Sequence, residues 1–441
     1  MSRQTEKSSL AQSIVDRWFP SSDSHLVIGG RRISELVAEF GTPAYVYDVS
    51  VMSARLNELR QTFGEEFDIY YSIKANPNPN VVRFFVEQGV GLEIASLGEL
   101  HRALESGCSG ERILFAGPGK SDPELKASLE NSIGEIHVES LGEAERLDRI
   151  AGELNSTAKI CLRINPLSDV QGGAMQMGGR PAQFGIDEEE LDSVVSTLEA
   201  FSNLELHGIH LFTGTQNLDH AILLKQYGRC VDLAERIALQ INRPLQSIDF
   251  GGGLGVPYFP HERELDLHGL SAGIPAIIDR IRSNSLLRDA RLVLEPGRFL
   301  TADAGIYVTR VRDKKRSRDK NFAILDGGMH HHLAASGNLG QTIKRNYPIA
   351  VLNKLGQEEN VGEPIELVGP LCTPLDTLGR SVALPTIEIG DLLGIFRSGA
   401  YGLSASPIGF LSHTAPVELF VHDGGVEANF LSIHQVKSSS H

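Results

Sequence analysis

The sequence predicts an α/β fold: a (β/α)8 barrel of the TIM type followed by a C-terminal antiparallel β-sandwich or barrel domain. Three observations carry this. From about residue 43 to 300, short apolar runs alternate with amphipathic helical stretches; eight or nine such runs occur; and beyond residue 300 the helical spacers disappear. Regular βα alternation implies a parallel sheet, and about eight units favour a closed barrel over an open sheet.

In chain order, AYVYDV precedes the helix-like VMSARLNELRQTFG, and DIYYSIK precedes NVVRFFVEQG. GLEIAS, ILFAG and EIHVES are followed by LGELHRALESG, DPELKASLENS and LGEAERLDRIAGEL. KICLRINP, LELHGIHLF with a long helix to about Leu239, SIDFGGG and RLVLEPG complete the series. Beyond it, IYVTRVRDK, NFAILDGG, PIELVGPLC, DLLGIFR and VELFVHDG are β-type runs broken by Gly, Pro and Asp. The expected domains are an N-terminal segment 1–42, a barrel 43–300 and a β domain 301–435. Within the first, DSHLVIGGRRISELVAEFG holds a short strand and a helix, the strand being expected to join the β domain. The closing SSSH is expected to be disordered.

With 441 residues the chain is long enough for two sizeable cores. Its net charge of −15 carries no pattern along the chain, which argues against broad nucleic-acid or anionic-membrane binding. The four cysteines are scattered and never form a CxxC pair, as expected of reduced thiols in a cytoplasmic protein. No secretory signal pattern opens the sequence, and no run of about 18 apolar residues suggests a membrane span.

Five motifs carry candidate chemistry. Lys74 ends the strand of YYSIKAN, where barrel chemistry gathers; a partly desolvated amine there attacks aldehydes, whereas a plain strand-end lysine snorkels to solvent. In IDFGGGLGVPY, Gly251, Gly252 and Gly253 either bring backbone N–H groups to an anion or form an ordinary tight turn. Thr215 in GTQ adds a hydroxyl. In LEPGRFL, Glu295 and Arg298 suit a cationic ring nitrogen and a phosphate, or pair with each other. Cys372, between Pro370 and Pro374, is a proton donor or an inert thiol, and RSGAYG carries Tyr401. The run His330, His331, His332 suggests metal, but neighbouring strand residues face opposite sides, so substrate contact at His330 or a structural role is preferred and no metal is expected.

In this order the strand lysine, the GGG turn, EPGR, the late cysteine loop and GAYG resemble the alanine-racemase-fold decarboxylases, the family of diaminopimelate and ornithine decarboxylases. The resemblance runs from about Thr42 to Leu419. It implies a pyridoxal phosphate cofactor, a (β/α)8 barrel with a β domain, and a homodimer with active sites at the subunit interface. It further implies that Lys74 holds the cofactor as a Schiff base and that Gly251, Gly252, Gly253, Thr215, Arg298 and Tyr401 bind its phosphate. Glu295 would pair with the pyridine nitrogen, Arg163 would lie near the ring, and Cys372, from the second subunit, would return a proton to the substrate carbon.

Two positions depart from the family pattern. Phe212 in GIHLFTGTQ stands where a histidine stacks on the cofactor ring. Thr373 in CTPLD replaces the acid that grips a distal ammonium, while Asp376 is retained. The segments GPGK, MGGRPAQFG, FTGTQNL, DGGMHHH, GPLCTPLD and SPIGFLSH are similar to a branch acting on conjugated amino acids, namely the butirosin-type glutamyl-carrier-protein decarboxylases and the siderophore citryl–diamino-acid decarboxylases. The expected substrate is therefore a small-molecule or carrier-tethered amino acid, the carrier form placed slightly ahead and a free diamino acid kept as the alternative. A racemase is disfavoured by Glu295, and a non-enzymatic single-barrel cofactor carrier by the β domain.

Overall fold

The structure, a computed structural model, describes residues 9–167, 175–176, 181–357, 361–423 and 425–431. MGGR of the motif MGGRPAQFG, the first eight residues and the closing SSSH lie outside the described residues. The chain divides into two compact units, one of Leu56–Val256 with Arg263–Phe299, the other of Met1–Arg55 with Pro257–Glu262 and Leu300–His441.

The first unit is the barrel. Eight parallel strands run Phe67–Ser72, Gly91–Ile94, Ile113–Phe115, Glu135–Val138, Ala158–Asn165, Leu204–Leu211, Ser247–Asp249 and Arg291–Leu294. The ring closes where Arg291–Leu294 pairs with Phe67–Ser72. A two-residue strand, Ile186–Asp187, adds to the outer side of Ala158–Asn165. Strands covered on both faces read as unbroken apolar runs, and Gly91–Ile94, Ile113–Phe115 and Glu135–Val138 are buried at every position. Serines at the strand-to-helix turns cap the helices that follow. Ser96 Oγ accepts from Glu99 N at 3.2 Å and Ser140 Oγ from Glu143 N at 3.2 Å, satisfying donors that a helix start leaves unpaired. Phe63, Phe67, Tyr227 and Phe250 interlock with ring centroids 5.2–6.2 Å apart, fixing helix His220–Ile241 against the barrel wall. Truncating one such ring costs about 3–5 kcal/mol.

Ala44–Asp48, expected to open the barrel, is not a barrel strand. It pairs antiparallel with Gly305–Ser317 and parallel with Val417–His422, so it belongs to the second unit. Its five residues are all buried, and a buried, mostly apolar strand followed by a helix looks the same in sequence whichever sheet receives it.

In that second unit, nine strands form one sheet, antiparallel except at this pairing and at Lys320–Leu325 against Ile365–Val368. The N-terminal strand His25–Ile28 lies in a separate three-stranded sheet, and Leu26 N donates to Leu352 O at 2.9 Å. A buried ionic triad ties distant parts of the unit together: Arg55 Nε reaches Asp303 Oδ2 at 2.9 Å and Arg397 Nε reaches Asp303 Oδ1 at 2.7 Å. Among the described residues no helix is long and apolar enough to cross a membrane.

Candidate active site

The chemistry-bearing residues of the barrel unit sit at or just beyond the C-terminal ends of its strands, where barrel enzymes build their sites. Lys74 follows Phe67–Ser72 in a single 3-10 turn. Its ammonium lies 2.6 and 2.8 Å from the two carboxylate oxygens of Glu93, which is 1 % exposed while the lysine side chain remains 45 % exposed. A buried carboxylate thus holds the amine at the edge of solvent. The EPG turn supports this arrangement: Ser72 N donates to Pro296 O at 3.2 Å. A Cβ on Gly297 would come within 2.9 Å of Ala75 Cβ, so glycine is required for the approach.

Gly251 and Gly253 have φ of +65° and +94°, which side-chain-bearing residues rarely adopt. A Cβ at Gly251 would stand 2.8 Å from Leu211 O and 3.1 Å from the Phe212 ring, and one at Gly252 would overlap the Glu295 carbonyl oxygen. Asp249 Oδ1 accepts from Gly251 N at 2.8 Å, and Gly251 O accepts from Glu295 N at 2.8 Å. The turn is therefore a cradle of bare backbone beside Phe212 and Glu295. Thr215 lies in the short strand Gly214–Thr215, whose Gly214 carbonyl closes on Gly253.

Glu295 is 7 % exposed and faces three buried groups that sequence reasoning missed. His210 Nε2 lies 3.0 Å from Glu295 Oε2 without the alignment of a hydrogen bond. His137 lies 3.8 Å from Glu295 Oε1 and 3.7 Å from Asp249 Oδ2, and the two imidazoles pack 4.4 Å apart. Burial holds both histidines below their ordinary range, His210 at about 3, helped by the Arg163 charge for His210 and by the neighbouring ring for His137. Both are neutral imidazoles. Burial first, and the facing Glu295 second, push the Asp249 carboxyl well up. Signals existed for two of these residues: His210 stands two positions before Phe212, near the end of strand Leu204–Leu211, and Asp249 lies two positions before Gly251 of the GGG turn.

Arg163 is buried and bonded through Nη1 to Glu139 Oε1 at 2.7 Å, with its guanidinium 5.0 Å from the Phe184 ring. Glu139 is fixed in turn by Gly117 N and Gly185 N, at 2.8 and 3.0 Å. The GPGK segment owes its place to Lys120, which is buried and bonded to Glu143 at 2.7 Å and to His137 O at 2.6 Å.

Arg298 belongs to the barrel unit, at the start of the short helix Arg298–Thr301 that follows the strand Arg291–Leu294, and the other remaining candidates belong to the β unit. Cys372 is exposed on the loop 369–376. Asp376 fixes that loop: its carboxylate accepts from Met329 N at 2.6 Å and from Leu371 N at 2.8 Å, so its oxygens are engaged by backbone. Thr373 Oγ1 accepts from Leu375 N at 3.3 Å. His330 is fully buried, packed 3.7 Å from His331 and 4.9 Å from His413, and burial lowers it to about 3. His331 and His332 bond Thr414 O at 3.0 Å and Ser398 Oγ at 2.9 Å. Tyr401 has a φ of 52°, a conformation sparsely populated outside glycine.

The barrel end fits pyridoxal phosphate on its own donor set. Among the described residues no lysine or arginine lies within ion-pair distance of Glu295, and its histidine neighbours are neutral, so a buried carboxylate lacks a countercharge that a protonated pyridine nitrogen supplies. The glycine cradle suits a phosphate and the half-exposed Lys74 suits an aldehyde.

Comparison with known proteins agrees. Residues 49–302 match the family model described as the pyridoxal-binding domain of pyridoxal-dependent decarboxylases. The chain is 39% identical over 398 residues to the L-glutamyl-[BtrI acyl-carrier protein] decarboxylase of Niallia circulans, covering 90% of this chain and 92% of that one. It is 31% identical over 386 residues to the 2-[(L-alanin-3-ylcarbamoyl)methyl]-2-hydroxybutanedioate decarboxylase of Staphylococcus aureus, covering 86% and 93%. The diaminopimelate decarboxylase structure from M. jannaschii superposes with a TM-score of 0.85 at 26% identity, covering 94% and 95%. The chain belongs to the pyridoxal-dependent decarboxylase family and is a pyridoxal-phosphate-dependent decarboxylase of fold type III.

Proposed function

We propose that the enzyme removes the α-carboxylate of an amino acid whose distal end is conjugated, foremost a glutamyl group on an acyl carrier protein. The observation that carries this is Thr373: the exposed loop beside Cys372 presents a hydroxyl where free diamino acids would need a carboxylate. Its likeness to the N. circulans enzyme, whose name specifies a glutamyl carrier protein, supports the same reading. A citryl–diamino-acid conjugate is the second reading, favoured by the likeness to the S. aureus enzyme.

In this mechanism Lys74 would hold the cofactor, the turn at Gly251, Gly252 and Gly253 would take its phosphate with Thr215, Arg298 and Tyr401, and Phe212 would contact its ring. Pyridoxal phosphate supplies the electron sink for the bonding pair left by departing carbon dioxide. Glu295 keeps a proton at the pyridine nitrogen, and the neutral His137 and His210 do not compete for its charge. Cys372, from a second copy of the chain, holds the proton that returns to the substrate carbon. Carbon dioxide release from glutamyl-carrier protein, citryl conjugates and free diaminopimelate tests the reading. Fastest turnover of the carrier-bound substrate is expected, and preference for free diaminopimelate would reject it.

A further inference from the structure

The charge, expected to carry no pattern along the chain, does carry one: the hairpin formed by Gly305–Ser317 and Lys320–Leu325 concentrates positive charge on an acidic chain. Residues 310–320 read RVRDKKRSRDK, seven Lys or Arg against two Asp, a net +5 that leaves −20 on the rest of the sequence. Arg312, Lys315, Arg316, Arg318 and Lys320 are exposed. Lys314 and Lys320 are committed to Glu388 and Glu366, at 3.2 and 3.0 Å, whereas Arg312, Lys315 and Arg318 form no ion pair among the described residues. Folding gains little from unpaired like charges set side by side, so the cluster calls for an external anion.

Strand register links this cluster to the cysteine loop. Lys315 pairs with Phe322, and one face of Lys320–Leu325 carries the half-exposed Phe322 and Ile324. A groove of about 480 Å³ is lined by Lys315 and Thr373 together with the apolar Phe322, Ile324, Val368 and Leu371. A basic, an apolar and a polar lining brought together in one groove suit a flexible acyl-bearing arm whose anionic carrier stays outside.

We propose that the hairpin 310–320 is the docking surface for an acidic carrier protein, whose tethered amino-acyl arm follows the groove toward Thr373. This rests on the carrier-tethered reading of the substrate. Without a local positive surface, an acidic carrier would be repelled by a chain of net −15. A nucleic acid fits less well, because an extended polyanion would cross the acidic surface beyond the hairpin, while a compact domain meets the hairpin alone.

The test uses holoenzyme with two substrates, glutamyl-acyl-carrier protein and the short thioester glutamyl-pantetheine. In R312E/R318E, kcat/KM for the carrier substrate is expected to fall by about ten-fold or more, mainly through KM, while the short thioester changes by less than about two-fold. Raising salt from about 50 to about 500 mM should depress the wild-type rate on the carrier and leave the variant's rate nearly flat. R312Q/R318Q, a milder change, should fall between. Equal loss on both substrates, or no loss on the carrier, overturns the docking surface and leaves the substrate reading intact. A wild-type enzyme that decarboxylates glutamyl-pantetheine or a citryl conjugate but not the carrier protein overturns both. Tighter binding of a fluorescent single-stranded oligonucleotide than of the carrier protein likewise overturns the assignment.

Discussion

His210 Nε2 stands 3.0 Å from Glu295 Oε2, a neutral imidazole against a carboxylate, both buried at the end of the barrel. The imidazole gives Glu295 a polar neighbour without neutralising it, which keeps its charge available to the cofactor's ring nitrogen. Replacing it by an apolar side chain would favour the protonated form of Glu295 and weaken that pairing. His210→Leu is expected to lower kcat by about 10- to 100-fold and to shift the visible cofactor band, with His210→Gln recovering most of the loss. An unchanged spectrum and rate in His210→Leu would mean that Glu295 needs no such neighbour.

Lys74 is held by Glu93 at 2.6 Å and is the amine that the half-exposed end of the barrel offers to an aldehyde. Lys74→Ala should fold normally, lose the visible absorbance of the bound cofactor and lose turnover by more than about 10⁴-fold. Absorbance spectroscopy decides this before any substrate is known, since a retained band would assign the covalent link to another residue.

Much of the barrel was legible because its strands are covered on both faces and therefore read as short apolar runs between helices. Lys74, the GGG turn and Glu295 were legible because each lies just beyond the end of such a strand. The grouping of His137, His210 and Asp249 around Glu295 was not, since a single polar residue in an apolar run does not tell which others it meets, and its neighbours across the barrel come from strands more than 30 residues away. The strand Ala44–Asp48 was misplaced for a related reason: its pairing partners, Gly305–Ser317 and Val417–His422, lie hundreds of residues downstream. The histidine run illustrates the reverse case, a conspicuous motif whose side chains prove to be packed and neutral, with His331 and His332 bonded within the β unit.

Cys372 is exposed on a loop that Asp376 fixes through two backbone N–H groups. Cys372→Ala should leave the cofactor spectrum intact and slow turnover by about 10²- to 10⁴-fold, the range of a lost proton donor. Asp376→Asn removes a charged acceptor from Met329 N and Leu371 N and should cost about 1.5–3 kcal/mol in denaturant unfolding, with activity following the loop's disorder. Full turnover in Cys372→Ala would remove the thiol from the proton path.

Asp303 binds Arg55 and Arg397 at the centre of the β unit, all three nearly inaccessible to water. Removing its charge strands two buried guanidinium groups. Asp303→Asn should therefore destabilise the protein by about 3–5 kcal/mol, although the substitution conserves volume. A loss below about 1 kcal/mol in urea unfolding would show that other acceptors carry the arginines.

Acid sensitivity should come first from the histidines and only later from this triad. Burial holds His210 and His332 at about 3, while in the unfolded chain a histidine titrates near 6.5. Between about pH 6.5 and 3 the unfolded state therefore binds more protons, and each such residue lowers stability by about 1.4 kcal/mol per pH unit as pH falls. Asp303 has the opposite origin: burial raises its carboxyl, but Arg55 and Arg397 outweigh that and leave it lowered. Its contribution is intact above about pH 4, the unfolded value, and is lost only as pH falls through the still lower folded value. Urea unfolding from pH 7.5 downward should thus show the histidine contribution being lost from about pH 6.5, before that of Asp303 is touched. The His332→Gln variant, which keeps a donor for Ser398, should reduce that slope between about pH 6 and 4, and a slope unchanged by the substitution would exclude His332 as a source of it.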